Sequence, residues 1–111
     1  MTVQVKLVIF YHEHLGIYCS SCPALRCSFG QGSSAQECIR IVKDEYLLWE
    51  LRNRNICSNL KKYGWQITND AVIPPTFTDE EAVAYTERMY ELQIPEHQIV
   101  VIQTVVPDAK R

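Results

Sequence analysis

The chain begins with a pattern typical of β-strands. Over residues 3–11, apolar side chains recur at every second position, which places them on one face of a strand. Gly16 follows at the end of a short polar connection, where we expect a hairpin with a positive φ at the glycine. Further strands are predicted over residues 17–20 and 25–29, so residues 3–29 form an antiparallel meander.

A long amphipathic helix is predicted after the meander. Ser34 and Glu37 have the spacing of a capping box, which marks a helix start. Apolar residues then recur at steps of three and four, as on one face of an α-helix. These residues are Cys38, Ile41, Val42, Tyr46, Leu48 and Trp49. We expect this stripe to pack on the sheet, within a helical region over residues 34–63 that ends at Gly64 in left-handed conformation.

The last third of the chain predicts a short helix and a final strand. Residues 65–77 have no clear periodicity, and Pro74-Pro75 excludes a helix there. Thr78 and Glu81 form a second capping-box pattern, which opens a helix that closes before residue 95. Residues 98–106 are rich in β-branched side chains and predict a strand that pairs in parallel with the first.

Together these elements predict a single domain over residues 1–111 of α+β class. It comprises the meander (3–29), the main helix region (34–63), an irregular segment with a short helix (65–95) and the final strand (98–106). The expected order is β-β-β-α-(α)-β, a two-layer arrangement with the helices packed on one face of a mixed four-stranded sheet. A chain of 111 residues is long enough for one core and too short for two.

Composition narrows the possible functions. Hydrophobic residues make up 47% and charged residues 22% of the chain, as in ordinary globular domains. The net charge is −2, and the sequence contains no basic patch of the kind that nucleic-acid binding usually needs. No apolar run approaches the roughly 20 residues of a membrane helix. Five cysteines without a secretion signal favour reduced thiols and a cytoplasmic location.

The predicted strands carry no acidic side chain. Residues 1–10, 16–29 and 98–106 contain neither Asp nor Glu. A metal-dependent nuclease on such a sheet needs carboxylates at fixed points to hold its ions. We therefore expect a protein that binds and does not catalyse, and one that needs no cofactor.

The cysteines and histidines near the hairpin are weak candidates for a metal site. His12, His14, Cys19 and Cys22 are all possible zinc ligands, but only residues 19–22 have a knuckle-like spacing. A nucleophilic pair of Cys22 with either histidine lacks a third group to orient it. We favour buried free thiols and a hairpin with two histidines.

The aromatic residues admit two interpretations. Tyr46, Trp49 and Tyr63 are able to stack on nucleic-acid bases, but a stacking platform normally lies in a basic groove. Core packing is the favoured interpretation for these three. For the aromatic residues of the segment over residues 65–95, the sequence leaves core packing and partner anchoring equally open.

Several short motifs resemble those of the HicB antitoxin family. They are Gly16-Ile17-Tyr18, Cys22-Pro23-Ala24-Leu25 and the run from Gly32 to Cys38. The spacing from Pro23 to Gly32 fits that family without a gap, whereas Gln36 and Cys38 replace its usual Glu and Ala. Ile73-Pro74-Pro75 and the last strand also resemble the end of the family's domain.

The resemblance implies a partial RNase-H-like fold and a small, basic RNase toxin of the HicA type as partner. Only residues 107–111 follow the last strand, so we expect no direct DNA binding. Open sheet edges favour a homodimer or a higher homo-oligomer. We expect an apolar patch and helix acids to meet the toxin, through Trp65, Phe77, Asp79, Glu80, Glu81 and Tyr85. The alternatives are a solitary RNA- or ligand-binding domain on the same scaffold and, less favoured, a zinc-stabilised enzyme.

Overall fold

The structure is a computed structural model that describes residues 1–26 and 30–110. Its strands are β1 (Thr2–His12), β2 (Ile17–Ser21), β3 (Gln31–Gly32), β4 (Gln66–Ile67), β5 (Val72–Ile73) and β6 (Gln98–Val105). Its helices are α1 (Ala35–Arg40), a π-helical segment (Ile41–Leu47), α2 (Leu48–Arg52) and α3 (Asp79–Tyr90), with 3-10 turns at Pro23–Leu25 and Lys61–Tyr63. This architecture confirms the predicted α+β class.

The central sheet has the order β3-β2-β1-β6, and every neighbouring pair is antiparallel. The predicted parallel pairing of the last strand with the first is wrong. The chain reaches β6 through α3, which delivers Gln98 beside Ile9, near the end of β1 instead of its start. From that point β6 runs back along β1, and Val105 pairs with Thr2.

The predicted hairpin between the first two strands is confirmed. The turn closes through a bond of 2.8 Å from the Gly16 N–H to the carbonyl of His12. Gly16 has a φ of 67°, as the sequence predicts for this position.

The predicted third strand is displaced along the chain. Pro23 opens a 3-10 turn that includes Leu25, because its fixed φ and missing N–H suit the start of a helical turn better than a strand. The third strand is instead Gln31–Gly32, which pairs with β2. The remaining part of the prediction, over residues 27–29, lies outside the described residues.

The main core lies between one face of the sheet and the long helix formed by α1, the π-helical segment and α2. This face of β1 carries Val3, Val5, Leu7 and Ile9, all nearly inaccessible to solvent. The helix contributes Cys38, Val42, Leu47 and Leu51, each fully buried. The sheet and this helix form two packed layers, as predicted for the main helix.

The π-helical segment changes which residues of this helix face the core. In a π-helix each backbone hydrogen bond spans five residues instead of four. The next buried residue after Val42 is therefore Leu47, five positions later. The predicted core packing of Tyr46 and Trp49 is therefore wrong: the two side chains remain 41% and 48% exposed. A regular helix would have directed Tyr46 inward.

α3 packs on the opposite face of the sheet, which corrects the prediction that both helices share one face. A smaller core forms there from Val8, Phe10, Cys19, Ala82 and Ile94. Tyr90 packs edge-to-face against Phe10, with ring centroids 4.9 Å apart. Lys6, on the same face of β1, forms an ion pair of 2.8 Å with Asp79 at the start of α3.

The connection between α2 and α3 differs from its prediction in two ways. The expected second helical stretch is reduced to the 3-10 turn Lys61–Tyr63, although Gly64 ends it in left-handed conformation as predicted, with a φ of 95°. The segment expected to be irregular contains the small hairpin of β4 and β5. None of the helices in the described ranges is long and apolar enough to cross a membrane.

Candidate functional site

The cysteines nearest the hairpin lie on different faces of the sheet. Cys19 belongs to the small core beneath α3, whereas Cys22 belongs to the main core. Across residues 1–26 and 30–110, no three His, Cys, Asp or Glu side chains come together as metal ligands. The candidate ligands His12, His14, Cys19 and Cys22 are therefore not gathered into one site.

Burial also makes the cysteine thiols poor nucleophiles. Desolvation raises the pKa of Cys22 to about 12, against weaker opposing bonds from the backbone of Leu25 and Ala24. Burial likewise raises the pKa of Cys19 and of Cys38. At neutral pH these thiols stay protonated, and a protonated thiol neither attacks a substrate nor binds a metal well.

His12 and His14 line a shallow cleft at the tip of the β1–β2 hairpin. Their ring centroids are 6.2 Å apart. The cleft has a volume of about 440 Å³, and the loop after α3 forms its other wall, including Pro95 and Glu96. His14 and Glu96 are exposed, so water competes for the polar groups at its rim. The cleft is large enough for a small ligand, and its lining is about equally apolar and polar.

The predicted partner residues do not form one surface. Trp65 is 3% exposed, and its indole N–H donates a bond of 2.7 Å to the carbonyl of Ala24, so this side chain takes the core interpretation. Phe77 is half-buried against the same core. Tyr85 is half-buried on α3, on the other side of the sheet.

The acids at the start of α3 are mostly engaged within the chain. Glu81 and Thr78 form the predicted capping box, with bonds of 2.9 and 3.1 Å. These bonds lower the pKa of Glu81. Asp79 is paired with Lys6. Glu80, which is exposed, is the acid of this turn with neither a cap bond nor an ion pair in the described part of the chain.

The main helix instead exposes two aromatic and two acidic side chains that lie close together in the sequence. Tyr46 and Trp49 are three residues apart, so they are neighbours on the helix. Asp44 and Glu45 lie directly before them and are exposed. We refer to these four residues as the Tyr46–Trp49 surface. Large exposed aromatic residues on a rigid element are typical of the centre of a protein–protein interface.

The end of α2 is fixed to the rest of the domain. The carbonyl of Trp49 accepts bonds from the backbone N–H of Asn53 at 3.0 Å and from its side-chain amide at 2.8 Å. Arg54 donates from one nitrogen to the carbonyls of Leu51 and Pro107, at 2.6 and 2.7 Å. These bonds hold the helix end and the chain after β6 together, so a partner would meet a preorganised surface.

The charges around the Tyr46–Trp49 surface leave its acids available. Glu45 lies 3.8 Å from Arg40, but both side chains are more than half exposed, and such pairs contribute little. Glu50 faces the following loop, where it accepts bonds from the Ser58 hydroxyl and the Asn59 N–H. Asp44 and Glu45 are thus exposed carboxylates on this helix, with the exposed Arg40 before them and the exposed Arg52 after them.

A signal for this surface was present in the sequence. Leu47 and Leu51 continue the buried row from Cys38 and Val42 if one step of five is allowed between steps of four. A strict 3.6-residue period selects the aromatic residues instead.

Comparisons of the chain with protein-family models, with curated proteins and with solved structures find no match.

Proposed function

We propose that this chain is an antitoxin-like protein-binding module that neutralises a HicA-type RNase by occlusion. The observation that carries the proposal is the exposure of Tyr46 and Trp49 on a fixed helix beside Asp44 and Glu45. The sequence motifs from Gly16 to Cys38 that resemble HicB-type antitoxins supply the class of partner. The proposal includes a cytoplasmic location and no catalytic activity of the chain itself.

The proposed mechanism uses two kinds of contact. The rings of Tyr46 and Trp49 enter an apolar depression on the RNase and exclude water from it. Asp44 and Glu45 meet lysines or arginines that the RNase uses to bind RNA phosphates, so the docked chain competes with RNA for the same charges. The acid-free strands of the sheet fit a role in binding rather than cleavage.

The test is a titration of the chain against the HicA-type RNase encoded beside it. We expect tight binding and loss of RNA cleavage as the complex forms. Trp49→Ala should weaken binding by about 30-fold or more, the effect of losing an interface hot spot of about 2 kcal/mol. Trp49→Phe, which keeps a ring, should fall between this variant and the wild type.

Tyr11→Ala provides a matched control, because Tyr11 is also an exposed aromatic residue, 52% accessible, but lies on β1. We expect its binding to equal that of the wild type. Equal binding by Trp49→Ala and the wild type would contradict the proposed surface. Failure of the RNase to bind the wild type, or its absence beside this chain, would contradict the antitoxin function.

Two features favour the alternative of a solitary RNA- or ligand-binding domain. Exposed aromatic rings also stack on bases, and the cleft beside His12 and His14 is of a size that suits a small ligand. Asp44 and Glu45 would repel phosphates next to the rings, which is why we prefer the protein partner. Salt-dependent binding of a single-stranded oligoribonucleotide, lost in Trp49→Ala, would favour the alternative.

A further inference from the structure

The two edges of the central sheet differ in length and protection. One edge is β3, which is only two residues long. The other is β6, which is eight residues long and carries no charged side chain and no proline. Natural sheets usually protect a long edge with a charge, a proline or a bulge, because its free backbone groups pair readily with another strand.

The register of β1 and β6 identifies the backbone groups that are free. The Val106 N–H donates to the carbonyl of Met1, so these two residues form a hydrogen-bonded pair. In an antiparallel ladder such pairs alternate with pairs that point their backbone groups outward. The N–H and C=O groups that face the free edge are therefore those of Ile99, Val101, Gln103 and Val105.

Side chains flanking this edge are apolar and uncovered. Val101 and Val105 are 54% and 66% exposed. The core beneath α3 covers this face of β1 and β2 and reaches Ile99 at the start of β6. It leaves Val101 and Val105 open to solvent. A strand with β-branched side chains and a free backbone edge combines both requirements for strand addition.

We infer that two copies of this chain pair through β6, antiparallel about a two-fold axis, to form one continuous sheet. A second copy fits because the strand is uncharged and meets its own image without repulsion. The register that uses all four outward residues pairs Ile99 with Val105 of the second copy and Val101 with its Gln103. It supplies about eight backbone hydrogen bonds, against about six for a shift of two residues.

This register also matches side chains across the axis. Ile102 lies opposite its own copy in a pair without hydrogen bonds, and its side chain is already packed in the main core of each copy. Val100 lies opposite Thr104, which is also β-branched. No like charges meet at any position of the strand. The dimer is independent of the Tyr46–Trp49 surface, which belongs to the main helix.

The first test is the mass of the chain in solution over a dilution series. We expect twice the chain mass of 12.9 kDa. Val101→Pro removes an N–H that points away from β1, so the fold tolerates it as edge strands do. It should raise the dissociation constant of the dimer by about 100-fold. Val101→Thr, a neutral β-branched control, should stay dimeric. Circular dichroism checks that both variants are folded.

The second test reports the register and does not depend on proline. Val101→Glu and Gln103→Lys should each weaken the dimer by about tenfold. An equimolar mixture of the two variants should restore it, because the introduced carboxylate of one copy then faces the introduced ammonium group of the other. A monomeric wild type, or a dimer unaffected by Val101→Pro, would overturn the inference. A mixture no stronger than the single variants would overturn the register.

Discussion

The main helix and α3 start alike but place their side chains by different rules. Ser34 and Thr78 each cap a helix by accepting a bond from the N–H three residues later. α3 then continues as a regular helix, in which Ala82 and Thr86 face the sheet four residues apart. The main helix widens into a π-helical segment and changes the phase of its buried row. The comparison shows that an exposed aromatic pair arises from backbone geometry as well as from composition.

The largest expected difference between the two helices is in how much stability the domain loses when one residue is deleted from each. Deletion of Ala84 rotates Thr86 and Tyr90 away from the sheet and should destabilise the domain by about 3 kcal/mol or more. Deletion of Asp44 instead converts the step from Val42 to Leu47 into an α-helical step of four, so both stay buried. We expect a change within about 1 kcal/mol. Urea unfolding measures both, and equal losses would contradict the phase change.

The polar contact beneath α3 should give the next largest effect. Thr86 donates to the carbonyl of Ala82, so the Ser21 hydroxyl donates to the Thr86 oxygen, with 2.5 Å between the two. Thr86→Val leaves a buried hydroxyl without an acceptor, which should cost about 1–3 kcal/mol.

The matched control is the double variant Ser21→Ala with Thr86→Val, which removes both hydroxyls. Its unfolding free energy should return most of the way to the wild-type value, because no buried polar group remains unsatisfied. Additive losses in the double variant would show that this contact does not hold α3 on the sheet.

The N-terminal caps of the two helices should differ less in how much they stabilise the domain. The Glu37 carboxylate accepts from Ser33 rather than from its cap residue, whereas Thr78 and Glu81 bond in both directions. Thr78→Ala and Ser34→Ala should each cost about 1 kcal/mol, because each removes the side-chain acceptor of one N–H. Glu81→Ala should destabilise its helix more than Glu37→Ala does, because of these two carboxylates only that of Glu81 accepts a bond from the N–H of its cap residue. The lowered pKa of Glu81 means that its ionised form is favoured in the folded state, so this stabilisation is lost as the pH falls. Thermal unfolding at pH 7 and in acid measures both effects.

The raised pKa of Cys22 should leave the free energy of unfolding unchanged at neutral pH and lower it in alkali. Because the pKa of Cys22 is about 12 when folded and near 9 for an ordinary thiol, the unfolded chain releases this proton first. Stability should therefore fall as the pH rises from 9 towards 12. At pH 7, iodoacetamide should label the exposed Cys57 and leave Cys22 unlabelled until the chain unfolds. Rapid labelling of Cys22 at neutral pH would contradict its burial.

Local sequence rules predicted the parts of the fold that depend on near neighbours. The alternation in β1, the hairpin at Gly16, the cap at Thr78 and the left-handed Gly64 all follow from short-range geometry, and the structure confirms them. The direction of β6 and the face that α3 covers depend on the path of the chain over many residues. No local pattern in the sequence specifies that path.

The candidate site was harder to predict for a related reason. The periodicity of 3.6 residues placed Tyr46 and Trp49 in the core, because a π-helical segment is rare and has no strong sequence signal of its own. Trp65, by contrast, has a buried acceptor at Ala24 that only the folded chain brings near. The exposure of Tyr46 and Trp49 thus follows from the π-helical backbone, whereas the burial of Trp65 follows from tertiary contacts.

The most direct test of the proposed surface is the fluorescence of Trp49, obtained as the difference between the wild type and Trp49→Phe. In the free chain we expect emission typical of a solvated indole and ready quenching by iodide. Addition of the HicA-type RNase should shift this emission to shorter wavelengths and suppress the quenching. An indole already shielded in the free chain, or one whose emission stays unchanged in the complex, would contradict the proposal.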